Sequence, residues 1–460
     1  MTNHGPGRTR AAQAQRRPGI DYDGVPASLA GRSVEPGDAG YSRYTASYLR
    51  SGLPGLVLRP QTAEETQDAV RFADAHRNVP LGIFSAGHGL SGRSLNHGGL
   101  VIDVSAINHI EPLGGRRVSI GPGARWIDVA RVLTPFGLAI TSGDYGGVGV
   151  GGLATAGGIG WFAREHGLTI DHIRSVDVVT ADGQLVHASA VENPDLFWAM
   201  RGAGANFGVA VTFEFEANPV GRIGFAQLTF AVSNVATFIE RWGAAVEASA
   251  RSVSATVLIG ATRPGELTYV LATIVVDSDQ PGTVVERLQP ILRVDRIAQQ
   301  SVSLRSYEDV MGAFFDDAST QQGSGEPHAH SAFARHLDSE ISAEIEALLE
   351  SGASHFFTIR SVGGAVADIG ADETAYGWRE ANFSLVAFGS PHSGIDLWWA
   401  RLQPRFEGMY LSFESDTGPD SLARAFPPAH LKRLRELKRR YDQTGLFRDN
   451  FFINPEIDPE

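Results

Sequence analysis

Between Ser142 and Gly160, nine of nineteen residues are glycine. A helix is excluded there, because each glycine costs about 1 kcal/mol against alanine in a helix interior. Such density reads as backbone made to approach something closely. The rest of the chain can bury a large core: 460 residues, 43% hydrophobic and 20% charged. That size allows two to four domains or one large enzyme of two intimate halves, and the composition excludes wholesale disorder.

Several chemistries are ruled out by counting. There is no cysteine, so disulfides, thiolate metal sites, iron–sulfur clusters and a cysteine nucleophile are impossible. The only lysines are Lys432 and Lys438, both in one C-terminal helical segment. No Gly-Lys-Ser/Thr phosphate loop exists, and a Schiff-base lysine would have to sit on a basic helix face. The Gly-x-Ser-x-Gly elbow of α/β-hydrolases is missing too. A net charge of −13 argues against nucleic acid or an anionic membrane as the main partner. Residues 1–20 are polar, Arg-rich and lack an apolar h-region, so a disordered tail is expected rather than a secretory signal. No run of 18 apolar residues occurs, so no membrane span is expected. A cytoplasmic location is the corresponding expectation, and nothing in the sequence fixes the oligomeric state.

The periodicity predicts an α+β chain. Short strands are expected at Gly55–Pro60, Leu81–Phe84, Leu100–Val104 and Arg117–Ile120. Thr62-Ala63-Glu64-Glu65 is a capping box opening a helix to about Arg77, and a second helix runs from Trp126 to about Leu133. Strands at Val176–Thr180 and Gln184–Ala188 flank Ala181-Asp182-Gly183, a hairpin signal. A helix over Asn193–Arg201 and an alternating strand over Val209–Glu216 end this part. From about Gly221 the strands lengthen (Phe225–Phe230, Thr256–Ile259, Leu267–Val276), with helices at Val235–Ala248 and Ile341–Leu349, which suggests an antiparallel sheet backed by helices. Gln321–Glu326 is one short low-complexity loop, and His430–Tyr441 is a basic helix with Leu431, Leu434 and Leu437 on one side. The expected division is a tail (1–20), a first domain (21–220), a second (221–404) and a C-terminal return to the first (405–460).

Four segments can carry chemistry. Phe84-Ser85-Ala86-Gly87-His88-Gly89-Leu90-Ser91-Gly92 is a strand entering a small-residue turn, whose successive N–H groups form an anion nest suited to a pyrophosphate. Its bland reading is a glycine turn with a solvated histidine. Gly143–Gly160 contains Gly147-x-Gly149-x-x-Gly152 with Asp171 about twenty residues on. This is not a dinucleotide fingerprint, because Gly157, Gly158 and Gly160 would fall inside the helix that the motif must open, and Asp171 precedes the next strand. Arg201-Gly202-Ala203-Gly204-Ala205-Asn206-Phe207-Gly208 and Tyr441-Asp442-Gln443-Thr444-Gly445-Leu446-Phe447-Arg448-Asp449-Asn450 are, taken alone, a helix C-cap and a turn.

In this order and spacing the four segments resemble the berberine-bridge-enzyme-like branch of the vanillyl-alcohol-oxidase flavoproteins, which have a PCMH-type FAD-binding domain. The likeness covers roughly residues 40–220 and 405–455. That family has a Gly-Gly-His turn carrying FAD covalently, then Cys-Pro-Thr-Val-Gly-Val-Gly-Gly, Arg-Gly-x-Gly-x-Asn-Phe-Gly and a terminal Tyr-Asp-Pro-x-x-x-Phe-x-x-Asn. The resemblance implies a two-part FAD-binding domain plus a substrate domain, with His88 bonded to the flavin 8α-methyl group. It implies a cofactor cradle of Ser85, Ala86, Gly87, His88, Gly89, Leu90 and Ser91, continued by Gly143, Asp144, Gly147, Val148, Gly149, Gly151, Gly152, Gly157, Gly158 and Gly160. Asn206, Gly208 and Val209 complete it, and Asn450 lies beside the isoalloxazine. No metal is implied.

The departures from the family pattern narrow the reading. Phe84 replaces the usual arginine, Ala86 the first turn glycine and Gln443 the proline of the terminal motif. Tyr145 stands at the second covalent anchor, a cysteine, so bicovalent attachment is excluded and Tyr145 is expected at the flavin edge, facing substrate. Val148 matches the position of the family's oxygen gate and suggests an open one, hence an oxidase. Thr374-Ala375-Tyr376-Gly377-Trp378-Arg379 resembles Thr-Ala-Phe-x-His-Arg on a strand facing the flavin. Tyr376 and Arg379 are therefore expected at the substrate, with Tyr376 a base if Arg379 lowers its pKa; plain packing is the competing reading. Glu380 and Glu414 are fallback bases. His328 and His330 have a metal-like spacing but read as a solvated loop. The resemblance implies hydride removal from a C–O or C–N carbon of a small, secondary-metabolite-like molecule, with O₂ reoxidising the flavin to give H₂O₂. A flavin-N5-oxide oxygenase and a catalytically silent flavin binder are the alternatives.

Overall fold

A computed structural model describes residues 13–314 and 326–456. Three sheets organise them. The first has strands β1 (Ser33–Val34), β2 (Leu56–Leu58), β3 (Leu81–Phe84) and β4 (Leu100–Asp103) in the order β1-β2-β4-β3. The pairs β2–β4 and β3–β4 are parallel, and helix α1 (Ala63–Ala75) makes the crossover. Thr62 caps α1, its Oγ1 accepting from the Glu65 N–H at 3.2 Å. The reciprocal arm of the expected box is shifted, since the Glu65 carboxylate accepts from Gln61 N and not from Thr62.

The second sheet is wholly antiparallel: β5 (Ile110–Gly114), β6 (Arg117–Ile120), β7 (Ile173–Val179), β8 (Leu185–Ser189) and β9 (Val209–Glu216), ordered β8-β7-β9-β6-β5. The β7–β8 hairpin turns through Asp182 and Gly183, with the Asp182 carboxylate accepting from Thr180 Oγ1 and Gln184 N. Helix α2 (Trp126–Leu133) leads from this sheet towards the glycine-rich block.

The third sheet has seven strands: β10 (Ile223–Val232), β11 (Val253–Gly260), β12 (Thr268–Val276), β13 (Ile297–Arg305), β14 (His328–Ala334), β15 (Phe356–Ser361) and β16 (Phe383–Gly389), in the order β13-β10-β12-β11-β15-β16-β14. Alternation sorts its side chains onto two faces. Leu228, Phe230, Val257, Ile259, Val270 and Ile274 join Phe238, Trp242, Leu288, Ile345 and Leu348 of helices α3 (Val235–Ala248), α4 (Pro281–Leu292) and α5 (Ser339–Glu350) in one core. The opposite face carries Gln227, Thr256, Thr273, Ser301, Thr358 and Arg360 towards a cavity.

Three expectations need correction here. The tail is not disordered up to residue 20: Arg16 Nε donates to Glu35 at 2.7 Å and Ile20 is buried, while residues 1–12 lie outside the described residues. Most of Gln321–Glu326 lies outside them too. The segment Thr374–Arg379 is not a strand; it follows a 3₁₀ turn at Ala371–Glu373 and precedes β16. His328 and His330 are not in a solvated loop. They open the edge strand β14, and His330 is buried between Asp396 and Glu414 and stacked on Trp399. No group of side chains suited to a metal ion occurs among the described residues, and no described helix is long and apolar enough to cross a membrane.

Candidate active site

A cavity of about 880 Å³ is lined from all three sheets, within the range of ligand sites. Its floor is the turn after β3. The main-chain N–H groups of Ala86–Ser91 all belong to cavity-lining residues, and none donates to a protein acceptor. Gly87 and Leu90 are buried and buried amides are almost always paired, so this run of cavity-facing donors is shaped for an anionic ligand. Ser85 Oγ donates to Pro122 O at 2.7 Å and pins the start of the turn. Gly149 packs so closely on it that an added Cβ would collide with Ser85 Oγ, which is why the facing strand of the loop has no side chain there.

His88 stands in this turn between Tyr48, 5.0 Å away and stacked, and Tyr145, 5.3 Å away and tilted. Burial, with Arg125 adding to it, pulls the imidazole down to about 4. At neutral pH the ring is therefore uncharged and a nitrogen lone pair is available.

The sequence-derived cradle is brought together in large part. Ser85, Ala86, Gly87, His88, Gly89, Leu90, Ser91, Gly143, Asp144, Tyr145, Val148, Gly149, Gly151, Gly152, Asn206, Gly208, Val209 and Asn450 all line the cavity. Gly147 lies just behind, its missing Cβ directed at Tyr145 and His88. Gly157, Gly158 and Gly160 do not line it. They form a second layer, with Gly157 under the rings of Tyr410 and Tyr376, Gly158 against Thr169 and Gly160 against the Gly143 backbone.

Asn206 and Asn450 have structural partners. Asn206 donates Nδ2–H to Phe451 O at 3.0 Å and accepts from Ile453 N, tying the C-terminal segment to the cradle. Asn450 Oδ1 accepts from Ser91 Oγ at 3.0 Å. The terminal turn is fixed by Lys438, which is not on the exposed face of its helix (Pro428–Tyr441) but fully buried. Its three donors go to Asp442 Oδ2, Asn206 O and Phe447 O, which leaves it no capacity for Schiff-base chemistry. Asp442 in turn accepts from Leu446 N and Phe447 N.

Tyr376 and Arg379 are not at the cavity. The Tyr376 ring packs edge-on against Phe333 and Tyr410, and its buried hydroxyl has no partner. Burial raises its pKa well above the ordinary tyrosine value, and the opposing pull of Arg379 does not offset this. Arg379 is a buried bidentate partner of Asp171, both contacts 2.9 Å. Neither fallback base reaches the cavity. Glu380 is exposed beside Arg335, and Glu414 is buried, accepting from Ser331 N, Ser415 N and Asp416 N beside His330.

Sequence reasoning missed the substrate-side wall. Arg360 on β15 donates Nε–H to Asp144 Oδ2 at 2.7 Å and Nη1–H to Thr358 Oγ1 at 2.9 Å, with its guanidinium 4.4 Å from the Phe413 ring centre. Tyr410 lines the cavity, its hydroxyl accepting from Gly158 N at 2.8 Å. The alternation Phe356-x-Thr358-x-Arg360 put these residues on one face, but no local signal said which face meets the cofactor half.

The fold and site have known counterparts. Residues 54–189 match the FAD binding domain family model. The chain is 29% identical to (R)-6-hydroxynicotine oxidase of Paenarthrobacter nicotinovorans over 94% of this chain and 98% of that one. The crystal structure of 6-hydroxy-D-nicotine oxidase from Arthrobacter nicotinovorans superposes with a TM-score of 0.81 at 25% identity, covering 94% and 100% of the two chains. Glucooligosaccharide oxidase from Acremonium strictum, described with a 6-S-cysteinyl, 8α-N1-histidyl FAD, shares the fold with a TM-score of 0.82 at 22% identity, over 94% and 99%. With the free amide run around His88, an FAD binding domain over residues 54–189 and a matching fold over nearly its whole length, the chain is similar in sequence and fold to the FAD-linked oxidases of the vanillyl-alcohol-oxidase superfamily, which have a PCMH-type FAD-binding domain.

Proposed function

We propose that this protein is an FAD-dependent oxidase of a small organic molecule, acting on a C–OH or C–N carbon, with the flavin attached through His88 alone. In this reading residues 21–220 and 405–460 hold the cofactor and residues 221–404 supply the substrate wall. The observation that carries it is the run of unpaired N–H groups from Ala86 to Ser91 around an uncharged His88. The donor set fits FAD: consecutive amides suit its pyrophosphate, and a neutral imidazole suits attachment at the flavin methyl group. Bound FAD supplies the two-electron acceptor that takes hydride from the substrate carbon and returns electrons to O₂ as H₂O₂.

The chain's own residues do the positioning. Tyr145 replaces a second covalent anchor with an aromatic wall beside His88. Val148, half-buried at the cavity edge, leaves room for oxygen. Asp144 faces the cavity, its Oδ2 bonded to Arg360 Nε and its Oδ1 without a protein donor; that oxygen is placed to take the proton of a substrate O–H or N–H. The test is oxygen uptake and H₂O₂ formation by the purified holoenzyme on a panel of alcohols and amines. Turnover with stoichiometric H₂O₂ supports the reading, and a flavin-loaded protein that reduces no oxygen with any substrate-reduced flavin contradicts it.

A further inference from the structure

The substrate-facing side of the large sheet has an uneven polarity that bears on what the enzyme oxidises. Cross-strand pairing aligns Ser301 with Gln227, Gln227 with Thr273, Thr273 with Thr256, and Thr256 with Arg360. Residues directly opposite each other share a face, so along the cavity a row of neutral hydroxyl and amide groups meets a single guanidinium, beyond which the register passes to Ser384 away from the cavity. Asp144 is the acidic group next to it, and that carboxylate is already engaged by Arg360 Nε.

The engagement is one-armed. The ion pair joins Nε to Oδ2 at 2.7 Å, Nη1 donates to Thr358, and Nη2 has no protein acceptor. Arginine carries five N–H donors in a planar fork. The Nη1–Nη2 edge therefore keeps unused donors, although the side chain is only 16% exposed and its plane is held on Phe413. A largely buried cation with open donors calls for an acceptor, and a planar oxyanion takes two of them at once.

We propose that the substrate is an oxygen-bearing organic carboxylate, a hydroxy acid in chemical class, whose carboxylate docks on the Nη edge of Arg360. This rests on the reading of the cavity as an FAD-linked oxidase site and goes beyond it by excluding a cationic amine as the preferred substrate. A cation would meet Arg360 directly, and the Asp144 carboxylate that would hold it is already neutralised. Whole-chain similarity to a nicotine oxidase therefore does not carry the substrate over, because the group that reads charge here is basic.

The test is calorimetric titration of the holoenzyme with three planar probes of matched shape: benzoate, benzamide and benzylamine. Wild type should bind benzoate at least about tenfold more tightly than benzamide, with benzylamine weakest. Arg360→Met should remove the preference for benzoate, and Arg360→Lys should restore part of it, since it keeps the charge without the fork. Asp144→Asn should tighten benzoate, because Arg360 loses its competing anion. Benzylamine binding as tightly as benzoate, or a benzoate preference that survives Arg360→Met in a protein with wild-type melting temperature, overturns the proposal. Flavin absorbance of the same samples reports separately on the cofactor reading: a colourless protein refutes that reading, whereas a yellow one without charge preference refutes only the hydroxy-acid proposal.

Discussion

The rings of His88 and Tyr145 lie 5.3 Å apart, centre to centre, at 47°. In the function proposed above, Tyr145 stands where the family pattern has a second anchoring cysteine, so that contact with a ring takes the place of a bond to the flavin. Tyr145→Phe keeps that ring and removes only its hydroxyl. Flavin content should stay at the wild-type level while turnover falls by more than about tenfold, roughly 1.4 kcal/mol of barrier. Comparing flavin absorbance with oxygen uptake on the same preparation checks this; unchanged turnover would make Tyr145 a packing residue.

Val148 lines the cavity one turn beyond Tyr145. Adding a methylene by Val148→Leu should slow reoxidation of the reduced enzyme by O₂ at least about tenfold, with little effect on anaerobic reduction by substrate. Stopped-flow measurement of both half-reactions separates the two.

The neutral state of His88 has a pH signature. Its folded-state pKa lies near 4, below the ordinary value of 6.5. The uncharged ring is favoured by folding, so the stability linked to it is complete above about 6.5 and is lost as pH falls through about 4. Flavin incorporation into apoprotein should therefore persist at pH 5.5 and drop with a midpoint near 4. A midpoint near 6.5 would show that the imidazole is not shielded.

Tyr376 provides a contrast. Its hydroxyl is buried without a partner, and such a group costs about 1–3 kcal/mol. Tyr376→Phe should leave turnover unchanged and raise the melting temperature. Loss of turnover would return Tyr376 to the chemistry.

Lys438 and Asp442 are both fully buried, 2.6 Å apart. Burial pulls the lysine below its ordinary pKa although Asp442 opposes the shift. Lys438→Met strands Asp442 and should destabilise the protein by about 3–5 kcal/mol. Because the pair fixes the turn that carries Asn450, flavin loading should fall with it. Chemical denaturation and flavin absorbance measure the two effects.

The turns that line the cavity were legible in the sequence because their signals are local. A Gly-His-Gly turn after a strand, a block of glycines and an Asn-Phe-Gly turn each dictate backbone shape over a few residues. Gly157, Gly158 and Gly160 show where that logic stops, since glycine marks close approach without saying to what, and here the neighbours are protein atoms. Lys438 was misplaced because a helical period of leucines does not reveal that a lysine beside them is capped by three carbonyl and carboxylate oxygens, from Asn206 far earlier in the chain and from Asp442 and Phe447 after it. Arg360 was missed for a similar reason: alternation assigns a face, and only the assembly of three sheets decides that this face meets Asp144, 216 residues away. Tyr376 and Arg379 were placed by resemblance to a short motif, whereas a buried carboxylate, Asp171, decides where Arg379 goes.

The central claim is that FAD is held in this cavity by a single covalent bond to His88. Acid precipitation of the purified protein, followed by a visible spectrum of pellet and supernatant, measures it directly. The flavin should remain with the polypeptide in wild type and appear in the supernatant, or be absent, in His88→Ala. Complete release of flavin from the wild-type protein would contradict the covalent bond, and a protein that carries no flavin when expressed with ample riboflavin would contradict the cofactor itself.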